Sequence, residues 1–301
     1  MTARQVAVDL QALSESGDYY NTALDLYDRG SRRIQRLSEW VDENLPALAE
    51  SISSGLREDE ELTVLSVGPG EGDSDRRILS HLRGRAHPKI RAVIMEPDSH
   101  MMRQYQDLVS KESAKLQDVD FDWRQQTFQE YQATAKEEDK FHFISSFSSI
   151  YYCGDLEKSL KYLYEKLHCG GILVVALMAG EGGFGRLWQH LRQTLGMTID
   201  FFTSTDVEHA CRNQNIPIAE IQTISIQCDI SSCFDPPQQL TQDGNILLDF
   251  LTHTVNFAQN APAEYRDDVL RFLGSEACSK TGPAGEAIFN GFDAAVIIRK
   301  Q

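Results

Sequence analysis

Gly68, Gly70 and Gly72 stand at alternate positions just after a short apolar run, Thr63 to Val67, and just before a helical pattern through Arg76, Ile78, Leu79 and Leu82. Glycines at a strand end let the backbone turn sharply and approach a ligand with no Cβ in the way. The helix that follows aims its free N–H groups at the same place. A second signal comes from Glu96, which ends another apolar run, Arg91 to Met95, and is followed by Pro97. A carboxylate at that point of a strand–helix–strand unit can accept hydrogen bonds from both hydroxyls of a ribose. Taken alone, the glycines read as an ordinary turn and the glutamate as a solvated loop acid. Together they point to a nucleoside-bearing ligand. Asp73 stands where a dinucleotide fingerprint has its third glycine, and the Gly-Lys-Ser/Thr ending of a phosphate loop is missing.

The elements that must hold these residues alternate regularly. Strands are expected at 63–67, 91–95, 119–124, 142–147 and 171–178, with helices at 73–83, 98–113, 127–136 and 155–167 between them. That order is the signature of a doubly wound parallel sheet. Residues 1–59 read as helical, with Ser31 capping a helix that Pro46 ends, and the polar stretch 50–61 as a linker. Beyond residue 180 helices are expected at 184–195, 204–214 and 246–257. Strands are expected at 220–228 and 294–298, with a long loop at 274–285.

Composition bounds the function. The chain has 301 residues, 41% apolar and 25% charged, which suits an ordinary soluble protein of one large domain or a core with a subdomain. A net charge of −16 argues against nucleic acid and against an anionic membrane surface. Six cysteines form no CxxC pair, and the eight histidines show no HxxxH or HExxH spacing, so no metal site is expected. The longest apolar run, Ile172 to Ala179, is too short to span a bilayer, and MTARQVAVDL lacks an export-type apolar stretch. A cytosolic chain with reduced thiols is expected.

The turn VGPGEGDSDRRILS, with its G-x-G-x-G pattern, resembles motif I of the class I S-adenosylmethionine-dependent methyltransferases. Leu167-His168-Cys169-Gly170-Gly171 resembles the L-x-P-G-G turn before their fifth strand, with Cys169 in the proline position. From Tyr20 to the final strand the chain resembles, more narrowly, the histamine N-methyltransferase family. The least generic pieces are Glu96-Pro97, Tyr151-Tyr152, Leu187-Trp188, Cys228-Asp229-Ile230-Ser231-Ser232-Cys233-Phe234, Asp249-Phe250-Leu251-Thr252 and Phe289-Asn290. The resemblance implies a Rossmann-like α/β fold with a seven-stranded, mostly parallel sheet and an added helical substrate-binding subdomain. It divides the chain into 1–59, 60–180 as the cofactor core, and 181–301 as substrate-binding elements plus closing strands. S-adenosyl-L-methionine is the implied cofactor. Gly68, Gly70, Gly72, Glu96, Met101, Thr127, Phe128 and Phe147 are its expected contacts, with Gln126 in the turn that holds adenine. The expected acceptor contacts are Tyr20, Arg33, Ser148, Tyr151, Tyr152, Trp188, Phe250 and Asn290, with no catalytic side chain and no metal. Phe128, Trp188 and Phe250 read equally well as core aromatics.

The departures bear on the substrate. The family's glutamate, glutamine and asparagine for histamine align with Arg33, Ser148 and Gly291, beside a retained Asn290, and none keeps its identity. An acid common near the start of the fourth strand is replaced by His142. An arginine in the first turn of a helix invites a carboxylate, so the acceptor read from the sequence is a small amine or imidazole, with acid-bearing histidine or carnosine included. The bland reading of Arg33 is a partner such as Asp28, or water. An O- or S-methyltransferase of small molecules and a non-catalytic cofactor-binding protein of the same fold stay as alternatives; an NAD-dependent oxidoreductase is disfavoured. A monomer is expected.

Overall fold

Among the described residues, eight strands form one sheet in the order Val119–Arg124, Ile90–Met95, Leu62–Val67, Phe141–Phe147, Leu167–Met178, Ala287–Arg299, Ile218–Asp229, with the short Ser279–Thr281 paired to Ala287–Arg299. The computed structural model describes residues 10–57, 60–84, 89–196 and 201–301. The start of the expected helical stretch 1–59 and positions 58–59 of the expected linker lie outside them. Helices α1 (Asp18–Ser31) and α2 (Arg33–Ser53) lead into β1 (Leu62–Val67), α3 (Asp73–Arg83), β2 (Ile90–Met95), α4 (Ser99–Lys111), α5 (Ser113–Leu116) and β3 (Val119–Arg124). Then come α6 (Phe128–Thr134), β4 (Phe141–Phe147), α7 (Leu156–Glu165), β5 (Leu167–Met178), α8 (Gly183–Leu195), α9 (Ser204–Asn213) and β6 (Ile218–Asp229). The chain closes with α10 (Gln242–Thr252), α11 (Phe257–Asn260), α12 (Ala263–Leu273), β7 (Ser279–Thr281) and β8 (Ala287–Arg299).

Strands β1 to β5 pair in parallel, as alternation with helices requires. All six residues of β1 are buried, because a strand covered on both faces reads as a continuous apolar run. The register sets Val67 opposite Met95, and Gly68 N–H donates to Met95 O at 2.8 Å. The glycine turn and Glu96 therefore leave the sheet side by side. The same register puts Ser66 opposite Ser145.

Several element boundaries differ from the expectation. Ser31 is the last residue of α1, and its hydroxyl donates back to Tyr27 O at 2.7 Å instead of capping a following helix. Arg32 then breaks the helix in the left-handed conformation, and α2 begins at Arg33. Pro46 lies inside α2. A proline costs the helix one hydrogen bond, and the buried face of Leu45, Ala49 and Ile52 carries α2 past it. Helix α10 starts earlier than expected, where Thr241 Oγ1 accepts Gly244 N–H. Helix α12 lies where no helix was expected, and the stretch 274–285 contains β7. This short strand makes the sheet one of eight strands.

Packing groups the chain into two compact units, cut differently from the contiguous division 1–59, 60–180 and 181–301. The first holds the chain up to Arg33, Met178–Thr203 and Ser225–Asp293. The second holds Ile34–Leu177, Ser204–Ile224 and Ala294–Gln301. Most of α2 belongs to the second because its polar residues grip that unit. Asp42 pairs with Arg77 at 2.6 Å and His81 at 2.9 Å, and Trp40 Nε1 donates to Gln222 Oε1 at 2.7 Å. His142 is anchored there too: its Nδ1 accepts Thr63 N–H at 3.0 Å and its ring stacks on His168.

Candidate active site

At the carboxyl ends of β1, β2 and β4, within the second unit, lies a cavity of about 200 Å3. Its walls include Gly68, Glu96, Thr127, Phe128, Ser148 and Tyr152. Six of the residues expected from the sequence are thus brought together. Crevices at the carboxyl ends of parallel strands are where open α/β sheets bind ligands.

Glu96 is buried at this wall, and each carboxylate oxygen has one backbone donor. Oε2 accepts Gly70 N–H at 2.9 Å and Oε1 accepts Asp98 N–H at 3.0 Å. Burial pushes its carboxyl upward, and those two N–H groups pull it back. Each oxygen keeps a lone pair, so the group suits the two hydroxyls of a ribose. The three glycines, all at positive φ, meet different neighbours. A Cβ on Gly68 would stand 2.7 Å from that of Ser149, and one on Gly72 would enter the Tyr105 ring. Around Gly70 no described atom comes within 4 Å of that position. Gly70 is the member of the turn whose missing side chain leaves open space.

The remaining expected cofactor residues are less direct. Thr127 caps α6: its hydroxyl accepts Glu130 N–H while its own N–H donates to Glu130 Oε2. Phe128 is buried, with its ring edge-on to Tyr162. Neither Met101, in the first turn of α4, nor Phe147, whose ring lies 6.1 Å from Trp40, is in the cavity wall. Gln126 keeps its buried Oε1 without a hydrogen-bond partner in the turn after β3. Ser148 is a left-handed serine (φ 54°) whose N–H donates to Ala176 O. Tyr152 is 64% exposed, and Tyr151 lies edge-on to it. The other wall residues, Val67, Met95, Pro97, Ser149 and Cys153, were not expected as contacts. Burial pushes the Cys153 thiol up to about 12.

The first unit gathers the other expected aromatics. Tyr27 stacks on Phe250 at 5.0 Å, and Phe184 meets Tyr27, Trp188, Phe250 and Phe289. Trp188 and Phe250 are buried, and Trp188 Nε1 donates to Leu251 O. Tyr20 and Trp188 both lie 6.1 Å from the ring of His253, a left-handed residue after α10. Sequence reasoning passed over His253, because it fell inside the helix expected at 246–257, which in fact ends at Thr252. Asn290 donates its backbone N–H to Cys278 O. Arg33 is buried, and its Nε and Nη2 both donate to Asp293 Oδ2 at 2.8 Å; Asp28 stands 3.8 Å from Nη1. At Gly291 a Cβ would lie 2.6 Å from the Tyr27 hydroxyl. Arg33 and Gly291, two positions expected to differ from the family's polar set, thus each meet a residue distant in the chain.

The family described as Methyltransferase domain matches residues 29–220. Histamine N-methyltransferase of Danio rerio is 30% identical over 291 residues, covering 95% of this chain and 97% of that one. The chain belongs to the histamine N-methyltransferase family. Histamine N-methyltransferase A of Xenopus laevis is 29% identical over 297 residues, covering 96% and 98% of the two chains. The solved structure of the YcgJ protein from Bacillus subtilis, 12% identical, covers 85% of this chain and 98% of its own with a TM-score of 0.50. At that identity the likeness speaks for the fold alone. Family membership makes the chain a methyltransferase with S-adenosylmethionine as methyl donor. The donor set fits that group: Glu96 offers acceptors to a ribose, and Gly70 leaves room for close approach. Among the described residues no helix is long and apolar enough to cross a membrane, and no three His, Cys, Asp or Glu are grouped to hold a metal ion.

Proposed function

We propose that this N-methyltransferase acts on a small amine or imidazole that needs no carboxylate. The observation that carries the reading is the Arg33–Asp293 pair. The Nε–Nη2 edge of the guanidinium is taken by one oxygen of Asp293, and Asp28 adds a second acid near Nη1. A buried arginine already neutralised in this way has little field left to draw an acid on the substrate. The acid-bearing acceptors, histidine and carnosine, lose the feature that recommended them, whereas an acceptor like histamine does not depend on it.

Bound S-adenosylmethionine supplies an electrophilic methyl group on a positive sulfur. What the chain has to do is hold a neutral nitrogen lone pair in line with it. An imidazole nitrogen is neutral near pH 7 and needs no strong base, whereas a primary amine must first lose a proton. Tyr152, exposed in the cavity wall beside Tyr151, offers aromatic surface to a nitrogen that turns cationic as it is methylated, at about 0.5–2 kcal/mol per ring. We assign Ser148, Tyr151 and Tyr152 to the acceptor, and Gly68, Gly70, Glu96 and Phe128 to the donor.

A methyl-transfer screen over histamine, histidine, carnosine, catechols and thiols, read by product mass, tests this. The expected result is N-methylation of histamine or a similar amine, with histidine and carnosine poor. Efficient methylation of histidine, lost in Arg33→Met, would return the acid-bearing reading. Products methylated on oxygen or sulfur would move the acceptor to another class.

A further inference from the structure

Asp75, in the first turn of α3, is only 3% exposed and has no cation among its hydrogen-bond partners. Three hydroxyls surround it instead. Ser66 Oγ on β1 donates to Oδ1 at 2.6 Å, Tyr105 Oη on α4 donates to Oδ2 at 2.5 Å, and Ser145 Oγ on β4 stands 3.4 Å from Oδ1. Burying a carboxylate this way is costly, and burial pushes its pKa up against the pull of the hydroxyls. An apolar residue would pack the same place at less cost. The arrangement therefore invites a role beyond packing.

Tyr105 supplies that role. Its ring lies where a Cβ on Gly72 would be, with ring carbons 2.2 to 2.4 Å from that point. The ring is thus pressed against the backbone of the last glycine in the turn. On its other sides it meets Trp123 and Phe121 edge-on, at 5.2 Å and 6.4 Å. Aromatic packing fixes its lateral position, and the hydroxyl bond to Asp75 fixes how far it reaches. Gly70, two residues from Gly72, donates its N–H to Glu96.

We infer that Asp75 and Tyr105 are positioning residues of the methyl-donor site: their hydrogen bond sets the height of the ring under Gly72, and so the distance of the Gly70 backbone from Glu96. Neither residue is in the cavity wall; both act through the glycine turn. The inference rests on the assignment of that turn to the donor, and Gly70→Val is measured alongside to separate the two.

The experiment titrates S-adenosylmethionine and S-adenosylhomocysteine into the parent, Tyr105→Phe, Asp75→Asn, the double variant and Gly70→Val by calorimetry, with melting temperatures and steady-state kinetics. Tyr105→Phe keeps the ring and loses only the hydroxyl. It should weaken donor binding about tenfold, as for the loss of one charge-assisted bond. The KM for the donor should rise, while kcat at saturating donor and the KM for the acceptor stay near the parent values. Because the two residues act as one unit, the double variant should lose little more than the weaker-binding single variant. Parental donor affinity in Tyr105→Phe, with only a lower melting temperature, overturns the inference. So do losses that add fully in the double variant. If Gly70→Val also binds the donor normally, the assignment of the turn itself has failed.

Discussion

The Cβ of Ser149 stands 2.7 Å from where a Cβ on Gly68 would be, and the Ser149 hydroxyl donates to Val67 O at 2.5 Å. Gly68 is a glycine here because β4 hands a serine to its strand end. Gly68→Ala meets both that contact and a positive φ of 59°. It should cost about 1–3 kcal/mol of stability and weaken donor binding. Adding Ser149→Gly should restore part of the loss, since it removes the steric half and leaves the backbone half. Chemical denaturation and calorimetry on the parent and both variants measure both parts.

Two aromatics expected from the sequence to face the acceptor differ in how buried they are. Tyr152 is 64% exposed, and Tyr152→Ala should leave stability within about 0.5 kcal/mol while raising the KM for the acceptor. Trp188 is 1% exposed, and Trp188→Ala should cost about 3–5 kcal/mol. Activity per folded molecule, measured at a temperature where both variants remain native, separates contact with the acceptor from packing.

Breaking the Arg33–Asp293 pair on one side should be worse than removing it whole. Asp293→Ala takes from a buried guanidinium the carboxylate that its Nε and Nη2 both bond, a loss of about 3–5 kcal/mol. Arg33→Met combined with Asp293→Leu should lie much closer to the parent. Urea denaturation of the single and double variants gives the comparison. Equal losses from the single and double variants would mean that the pair is not acting as a unit.

Asp28 gives a pH dependence of known sign. Burial raises its carboxyl from 3.8 to about 6, against the lowering effect of Arg33. The folded protein then binds a proton more readily than the unfolded chain between those values. The contribution of Asp28 is most favourable below about pH 4 and is lost as the pH rises through 6. Asp28→Asn should therefore match the parent near pH 4 and exceed it at pH 7, by up to roughly 3 kcal/mol. Melting curves at both pH values test it.

The donor side of the site was legible in the sequence because its signals are local. A strand end, three glycines and an acid after the next strand define one another through short-range geometry, and the parallel register then brings Gly68 and Glu96 together. Of the polar partners in the first unit, Asp28 was legible as a near neighbour of Arg33 in the chain, and the distant ones were not. Nothing near Arg33 or Gly291 in the chain announces Asp293 or the Tyr27 hydroxyl, which reach them only through tertiary packing. The left-handed break at Arg32 was hidden by a serine that looks like a helix cap. Helix α12 was missed because its stretch, AEYRDDVLRFL, is dominated by charge and buries only Val269 and Leu273 fully.

The Arg33–Asp293 bond joins positions 260 residues apart. At a synthesis rate of about 5–20 residues per second, roughly 13–50 s pass between the two emerging from a ribosome. Throughout that interval α1 waits with Tyr27 uncovered, since Phe250 is also made late. The run Ile34–Leu177, by contrast, emerges in one continuous piece. Birth of this enzyme is therefore asymmetric in time: its middle can settle while α1 still awaits the partners that arrive with Phe250 and Asp293.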